Sequence, residues 1–200
     1  SFCSRFVSML QPMLSVIVCP TEAMMLDTIY TFNNSGFSNI CAIFDGDENN
    51  ITVSCEPVVN KKCSTLVVSP RIFENPKFIS IIQEVSCNIG ISYIVLEEAQ
   101  MISEFSYDFS VSYNNAAAII RDNMIDSKLI ALTSTASDEI CDDLVDILCI
   151  DEQGVSAKKF ELENNFSLII ENVNDIASVS KIENIENLIK KIYSQKSNQG

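Results

Sequence analysis

The stretch Ile94-Val95-Leu96-Glu97-Glu98-Ala99-Gln100 carries the most chemistry in this sequence. An apolar run of strand character ends there in two adjacent carboxylates. If the strand belongs to a parallel sheet, they arrive at the carboxyl edge, where ligands of such sheets bind. Two neighbouring acids suit a division of labour, one organising Mg²⁺ and the other polarising an attacking water. The plainer reading is a strand running out into a polar loop, and the pair alone does not decide between them. Thr133-Ser134-Thr135-Ala136 follows a second apolar run, Lys128 to Leu132, and brings hydroxyls to the same edge. Those hydroxyls could bond a carboxylate or phosphate, although helix capping is the commoner use of such residues.

Phe105, Tyr107 and Phe109 alternate around Ser106 and Asp108, so in extended backbone they point one way. Such a row can stack nucleic-acid bases or fold onto the core. Asp45-Gly46-Asp47-Glu48-Asn49-Asn50 followed by Glu56 nearly satisfies a calcium loop, with oxygen ligands at positions 1, 3, 5 and 12. Position 6 is Asn50 where a sharp turn needs Gly, and the flanks CAIF and ITVSC read as strands, which leaves an acidic surface turn. The pairs Lys61-Lys62, Lys158-Lys159 and Lys190-Lys191 are scattered and read as solvated surface.

Composition sets the outer bounds. The 200 residues are 47% hydrophobic and 20% charged, enough apolar matter to bury a core and too much for disorder. With 13 basic against 27 acidic residues the net charge is −14, which opposes nonspecific binding to a phosphate backbone, so any DNA contact must be local. The absence of His removes Ser-His-Asp triads, Cys-His dyads and His-bearing zinc sites. The eight cysteines form no C-x-x-C pair, and several lie in apolar runs such as Val16-Ile17-Val18-Cys19, so buried free thiols in a reducing compartment are expected. No apolar run reaches about 18 residues, so no membrane span is expected. The amino terminus has neither the basic start nor the apolar stretch of a signal peptide. An opening Ser1 in place of Met suggests a fragment, a processed product or an excised domain.

The elements that must position these groups follow from hydrophobic period. Strands are expected over 14–19, 39–44, 64–69, 91–96 and 128–133, and helices over 2–10, 22–34, 75–86, 113–122 and 137–147. The strands are continuous apolar runs, so both of their faces need helices. This predicts an α/β fold, a largely parallel central sheet between two helical layers. Gly36 marks a helix end, and Ser137-Asp138-Glu139 a capped helix start. After residue 150 the texture changes to a turn at Asp151 to Gly154, short extended pieces at 159–163 and 167–171, a helix over 180–194 and a polar tail. Residues 1–150 therefore read as one domain and 151–200 as an extension.

In order and spacing, four segments over residues 1–173 resemble the first RecA-like motor domain of RecQ-family DNA helicases, in the DEAD/DEAH group of superfamily 2. The family's acid-acid-Ala-His followed by C-I-S-x-W-G-H-D-F-R-x-x-Y is similar to Glu97 through Tyr113, with Ile102, Ser103, Asp108, Phe109 and Tyr113 matching. Its A-L-T-A-T-A resembles Ala131 to Ala136, its S-P-L-x-A-L-M-x-D-Q resembles Cys19 to Thr28, and its T-P-E-R-L resembles Ser69 to Phe73, with Phe78 at the aromatic position of the next helix.

The resemblance implies ATP and Mg²⁺ as cofactors and single-stranded or duplex DNA as partner. Glu98 would orient the attacking water, and Glu97 would hold Mg²⁺ with Ser1 as a further ligand. Gln100, Thr133 and Thr135 would link nucleotide state to DNA. Pro20, Asp27, Ser69, Pro70, Phe105, Tyr107, Asp108 and Phe109 would meet the strand. It also implies an intracellular protein, nuclear in a eukaryote and cytoplasmic otherwise.

Departures accompany the matches. Glu97 stands where the family has Asp, Gln100 where it has His, and Phe105, Tyr107 and Ser110 where it has Trp, His and Arg. The R-P-N-L motif is faintly echoed by Asn165-Phe166-Ser167-Leu168. Ser1-Phe2-Cys3 looks like the residues directly after the phosphate-binding Gly-Lys, which places that cradle before this sequence. A diverged, inactive relative that serves as a protein-interaction scaffold is the alternative, favoured by the acidity.

Overall fold

The computed structural model describes residues 2–10, 13–37, 39–44, 50–103, 110–124, 126–135, 137–156, 185–187, 189 and 190. The chain divides into two compact units, Ser1–Ser156 and Ala157–Gly200. In the first, strands β1 (Leu14–Val18), β2 (Ile40–Ile43), β3 (Thr65–Val68), β4 (Ile91–Leu96) and β5 (Lys128–Ala131) form a sheet in the order β2-β3-β1-β4-β5. Every pairing is parallel. This is the expected three-layer α/β architecture of a RecA-like domain, and all five strands lie where apolar run length put them.

Helices α1 (Phe2–Leu10) and α2 (Glu22–Asn34) cover one face of the sheet. There Ile17, Cys19, Val67 and Val95 pack with Met25 and Phe32 of α2 and Val7 of α1. The other face carries α3 (Ile51–Ser54), α4 (Glu56–Val59), α5 (Pro76–Asn88), α6 (Ser110–Asn123) and α7 (Asp138–Leu148). Its core joins Val16, Val18, Leu66, Val68, Ile94 and Leu96 to Phe78, Ile82, Tyr113, Ala117 and Leu144. Each full burial of a large apolar side chain contributes about 1.5–3 kcal/mol, which fixes the central strand β1, buried at every position, between the two layers.

Local signals close the helices. The Thr21 side chain accepts the Met24 N–H at the start of α2, and Gly36, at φ +85°, takes the left-handed turn after its end. Asn75 accepts the N–H groups of Lys77 and Phe78, with Pro76 at the first helical position of α5. Ser137 accepts the Ile140 N–H, as the sequence anticipates, with Asp138 and Glu139 in the first turn of α7.

Several expectations need correction. ITVSC is not a strand: Ile51 to Ser54 forms α3, because Ile51, Cys55 and Val58 recur at helical spacing and bury against the core, which overrides the β preference of Ile, Thr and Val. Short 3₁₀ turns at Pro70–Glu74 and Ala99–Ile102 follow β3 and β4. The cysteines are all free, but only Cys19, Cys55 and Cys63 are buried, while Cys3, Cys87 and Cys149 are exposed. Lys61 and Lys62 are exposed, as read. Among the described residues, no helix is long and apolar enough to cross a membrane.

In the second unit, residues 185–187, 189 and 190 are helical, within the anticipated 180–194 helix, and Ile185 and Ile189 are exposed. The expected extended pieces at 159–163 and 167–171, the Asn165 to Leu168 echo and the acidic stretch 45–49 lie outside the described residues.

Candidate active site

Because all five strands run one way, their carboxyl ends share an edge. Val18 pairs with both Val68 and Leu96, Leu96 pairs with Ala131 and Val68 with Ile43, so all five strands end level. The chain then continues into Cys19-Pro20 after β1, Ser69-Pro70 after β3, Glu97-Glu98 after β4 and Leu132-Thr133 after β5. Residues up to 114 positions apart in sequence are thereby assembled into one site. Pro20, Ser69 and Pro70 are buried there, whereas Asp27 is exposed on α2, its carbonyl accepting the Thr31 hydroxyl. Ser1, Phe105, Tyr107, Asp108 and Phe109 lie outside the described residues.

The acidic pair is held by its backbone. The Glu97 N–H donates to the Val18 carbonyl at 3.0 Å, the Ala99 N–H donates to the Leu132 carbonyl at 2.8 Å, and Glu97 is only 5% exposed. Between these ties Glu98 adopts φ 52°, ψ 48°, left-handed backbone uncommon for a side-chain-bearing residue. The turn projects its half-buried side chain onto Gln100, whose Nε2 donates to Glu98 Oε2 at 2.6 Å. The other end of that amide, Gln100 Oε1, is buried without a hydrogen-bond partner, so the site holds an acceptor in want of a donor.

Cys19 and Tyr113 complete the surroundings, and neither stands out in the sequence as a site residue. Burial pushes the Cys19 thiol up to about 11, opposed by its hydrogen bond with Thr28 and reinforced by the charge of Glu97. Burial likewise raises Tyr113 well above the ordinary phenol range, with Cys19, Glu97 and Glu98 adding to it. Its hydroxyl therefore keeps its proton and donates to the Glu97 carbonyl at 2.6 Å. The signal for Tyr113 was a family match with no role attached. Its 16-residue separation from Glu97 matches no local spacing rule.

The hydroxyls after β5 do not cap α7, contrary to the capping reading; Ser137 does. Thr133 Oγ1 instead accepts the Thr135 N–H at 3.3 Å, bending the loop on itself, with Thr133 half-buried and Thr135 exposed. Among the described residues no group of three or more Cys, Asp or Glu side chains gathers to hold a metal ion.

No protein-family model matches this chain. Individual relatives do. The ATP-dependent helicase wrn-1 of Caenorhabditis elegans is 25% identical over 167 residues, which cover 82% of this chain and 15% of that protein. The ATP-dependent DNA helicase RecQ of Bacillus subtilis is 23% identical over 166 residues, 82% of this chain and 27% of its own length. The ATP-dependent DNA helicase Q1 of Rattus norvegicus is 22% identical over 200 residues, 98% of this chain and 32% of its own length.

Over most of its length the chain is distantly similar to RecQ-family helicases. It spans less than a third of the length of each of these three relatives. Within the region of similarity, Glu97 to Gln100 combines a buried acid, a left-handed acid and an amide that bonds the second.

Proposed function

We propose that this region is the first motor domain of an ATP-dependent 3′–5′ DNA helicase and acts within a longer protein, with residues 1–150 forming the motor fold and 151–200 an extension. The observation that carries the reading is the Gln100 amide on the Glu98 carboxylate at 2.6 Å, at the carboxyl edge of a parallel sheet. An acid positioned this way can accept a proton from, and orient, a water molecule. The donors suit ATP with Mg²⁺: Glu97 supplies the carboxylate oxygens that a hard cation prefers, and Gln100 Oε1 is an orphaned acceptor on the amide that holds Glu98.

Under this reading Glu97, with Ser1, holds Mg²⁺, which when bound with ATP supplies charge neutralisation at the phosphates. Glu98 orients water, Gln100 fixes the orientation of Glu98, and Thr133 and Thr135 report the state of the site through the β5 loop. DNA would run past Pro20, Asp27, Ser69, Pro70 and the segment holding Phe105, Tyr107, Asp108 and Phe109. Buried Pro20 and Pro70, which have no N–H to offer a phosphate, would shape the loops that meet the strand, and Ser69 would contribute through its backbone N–H, which positions a strand without reading its sequence. The setting is intracellular, nuclear in a eukaryote.

The test is DNA-stimulated ATP hydrolysis by the longest natural protein containing this region. Glu98→Gln is expected to lower kcat by about 100-fold or more, the usual scale for losing a positioned base. An unchanged rate would remove Glu98 from the mechanism.

A second reading, an inactive scaffold for a basic protein partner, draws on α7. That helix carries Asp138, Glu139, Asp142, Asp143 and Asp146 and no Lys or Arg. Single-strand titration at low salt separates the two. Saturable binding that weakens with Phe105→Ala favours the motor, and absence of binding together with absence of ATPase favours the scaffold.

A further inference from the structure

The Glu97–Glu98 peptide is an unusual link. On its amino side, Glu97 still belongs to the sheet, with its N–H on Val18. On its carboxyl side, Glu98 sits at φ 52°, outside the range that strands use. A side-chain-bearing residue in this region costs about 1–2 kcal/mol relative to ordinary backbone, so something nearby must hold it there. The carbonyl of that peptide has left the ladder, because the last β5 contact to β4 is Leu132 N–H on the Leu96 carbonyl.

The Tyr113 hydroxyl meets that carbonyl. It donates to Glu97 O at 2.6 Å and lies 3.5 Å from Val18 O, so one phenol spans the carboxyl ends of β1 and β4. Tyr113 is 1% exposed, and its ring is locked into the core by α6. The helix is itself tied to the turn after β3: Ser112 Oγ donates to Glu74 Oε1 at 2.6 Å. The phenol is thus braced from outside the acidic segment.

We infer that Tyr113 is the positioning residue for the acidic pair: its hydroxyl fixes the Glu97 carbonyl, which sets the left-handed turn and so the direction in which Glu98 meets Gln100. The inference rests on the reading of Glu97 and Glu98 as the metal- and water-handling pair for its catalytic consequence, but not for the tether itself.

Tyr113→Phe removes the hydroxyl and keeps the ring, so the core stays filled. Two measurements on the longest natural protein decide the matter. The first is amide hydrogen exchange. The Glu97 and Ala99 amides are expected to exchange about ten-fold faster in the variant, the scale for one lost buried hydrogen bond, while the amides of α5 keep their wild-type rates. Unchanged exchange at Glu97 and Ala99, or equal acceleration throughout the domain, overturns the tether. The second is steady-state ATPase. The variant is expected to lose about ten-fold in kcat with KM for ATP within two-fold of wild type, a split that general destabilisation does not produce. Local acceleration of exchange with kcat unchanged overturns the positioning role. A wild-type protein without ATPase fails the motor reading instead, and the exchange result still decides whether Tyr113 holds the turn.

Discussion

Gln100 reaches back two residues to hold the carboxylate of Glu98, its Nε2 donating to Oε2 at 2.6 Å across a left-handed turn. The pair is local in sequence but depends on the fold, since the intervening Ala99 is fixed by its N–H on Leu132 of the neighbouring β5 loop. Gln100→Ala leaves the Glu98 carboxylate without this donor and free to rotate. DNA-stimulated kcat is expected to fall about ten-fold, while stability changes by about 1 kcal/mol or less, the net worth of one partly exposed hydrogen bond. Parallel rate and urea-unfolding measurements on the variant check both.

Gly90 stands before β4 at φ +88°, and a Cβ there would sit 2.9 Å from Met13 Sδ. Gly90→Ala therefore meets both backbone strain and a side-chain clash. A loss of about 1–3 kcal/mol is expected in chemical denaturation. Because the contact is with the flexible end of an exposed side chain that can move aside, adding Met13→Ala should recover little, and the loss is chiefly the backbone strain.

Phe78 is fully buried and packs edge-on to Phe73, with centroids 5.2 Å apart and planes at 87°. Phe78→Ala is expected to cost about 3–5 kcal/mol, the range for removing a core aromatic. A thermal-melt shift too small for such a loss would show that α5 closes over the gap.

Cys19 and Cys55 give the fold an alkaline limit. Burial pushes both thiols from about 9 up to about 11. Between those values the unfolded chain releases protons that the folded chain retains, so stability falls as pH rises from about 9 to about 11 and is unaffected by these groups below that window. Melting temperature followed from pH 8 to pH 11 should decline across that span. Cys55→Ala should flatten part of the decline while lowering the neutral-pH value through lost packing.

The strands were legible because parallel strands buried on both faces must be continuous apolar runs, and Leu14–Val18 and Ile91–Leu96 are such runs. The α3 segment was not, since four residues of Ile, Thr, Val and Ser satisfy strand and helix templates alike, and only the burial of Ile51 with Cys55 and Val58 decides between them. In the candidate site, Glu97, Glu98 and Gln100 stand out in the sequence because their chemistry is written in adjacent letters. Tyr113 does not, because its part is played by one hydroxyl on a carbonyl of a distant strand, and a carbonyl belongs to every residue type. The hydroxyls after β5 misled because Thr and Ser both cap helices: Ser137, followed by Asp138 and Glu139, takes the role, and Thr133 accepts the Thr135 N–H instead.

The strand order β2-β3-β1-β4-β5 also bears on how the chain comes into being. Of these five strands, Leu14–Val18 is made before the others and ends between the third and the fourth, so one of its hydrogen-bonding edges stays open until residue 68 has emerged and the other until residue 96. Such long-range parallel pairing closes slowly, and an open apolar edge invites strands from other chains. The nascent protein is therefore most exposed to aggregation while β4 is still awaited, a period in which chaperone cover of residues 14–18 would matter most.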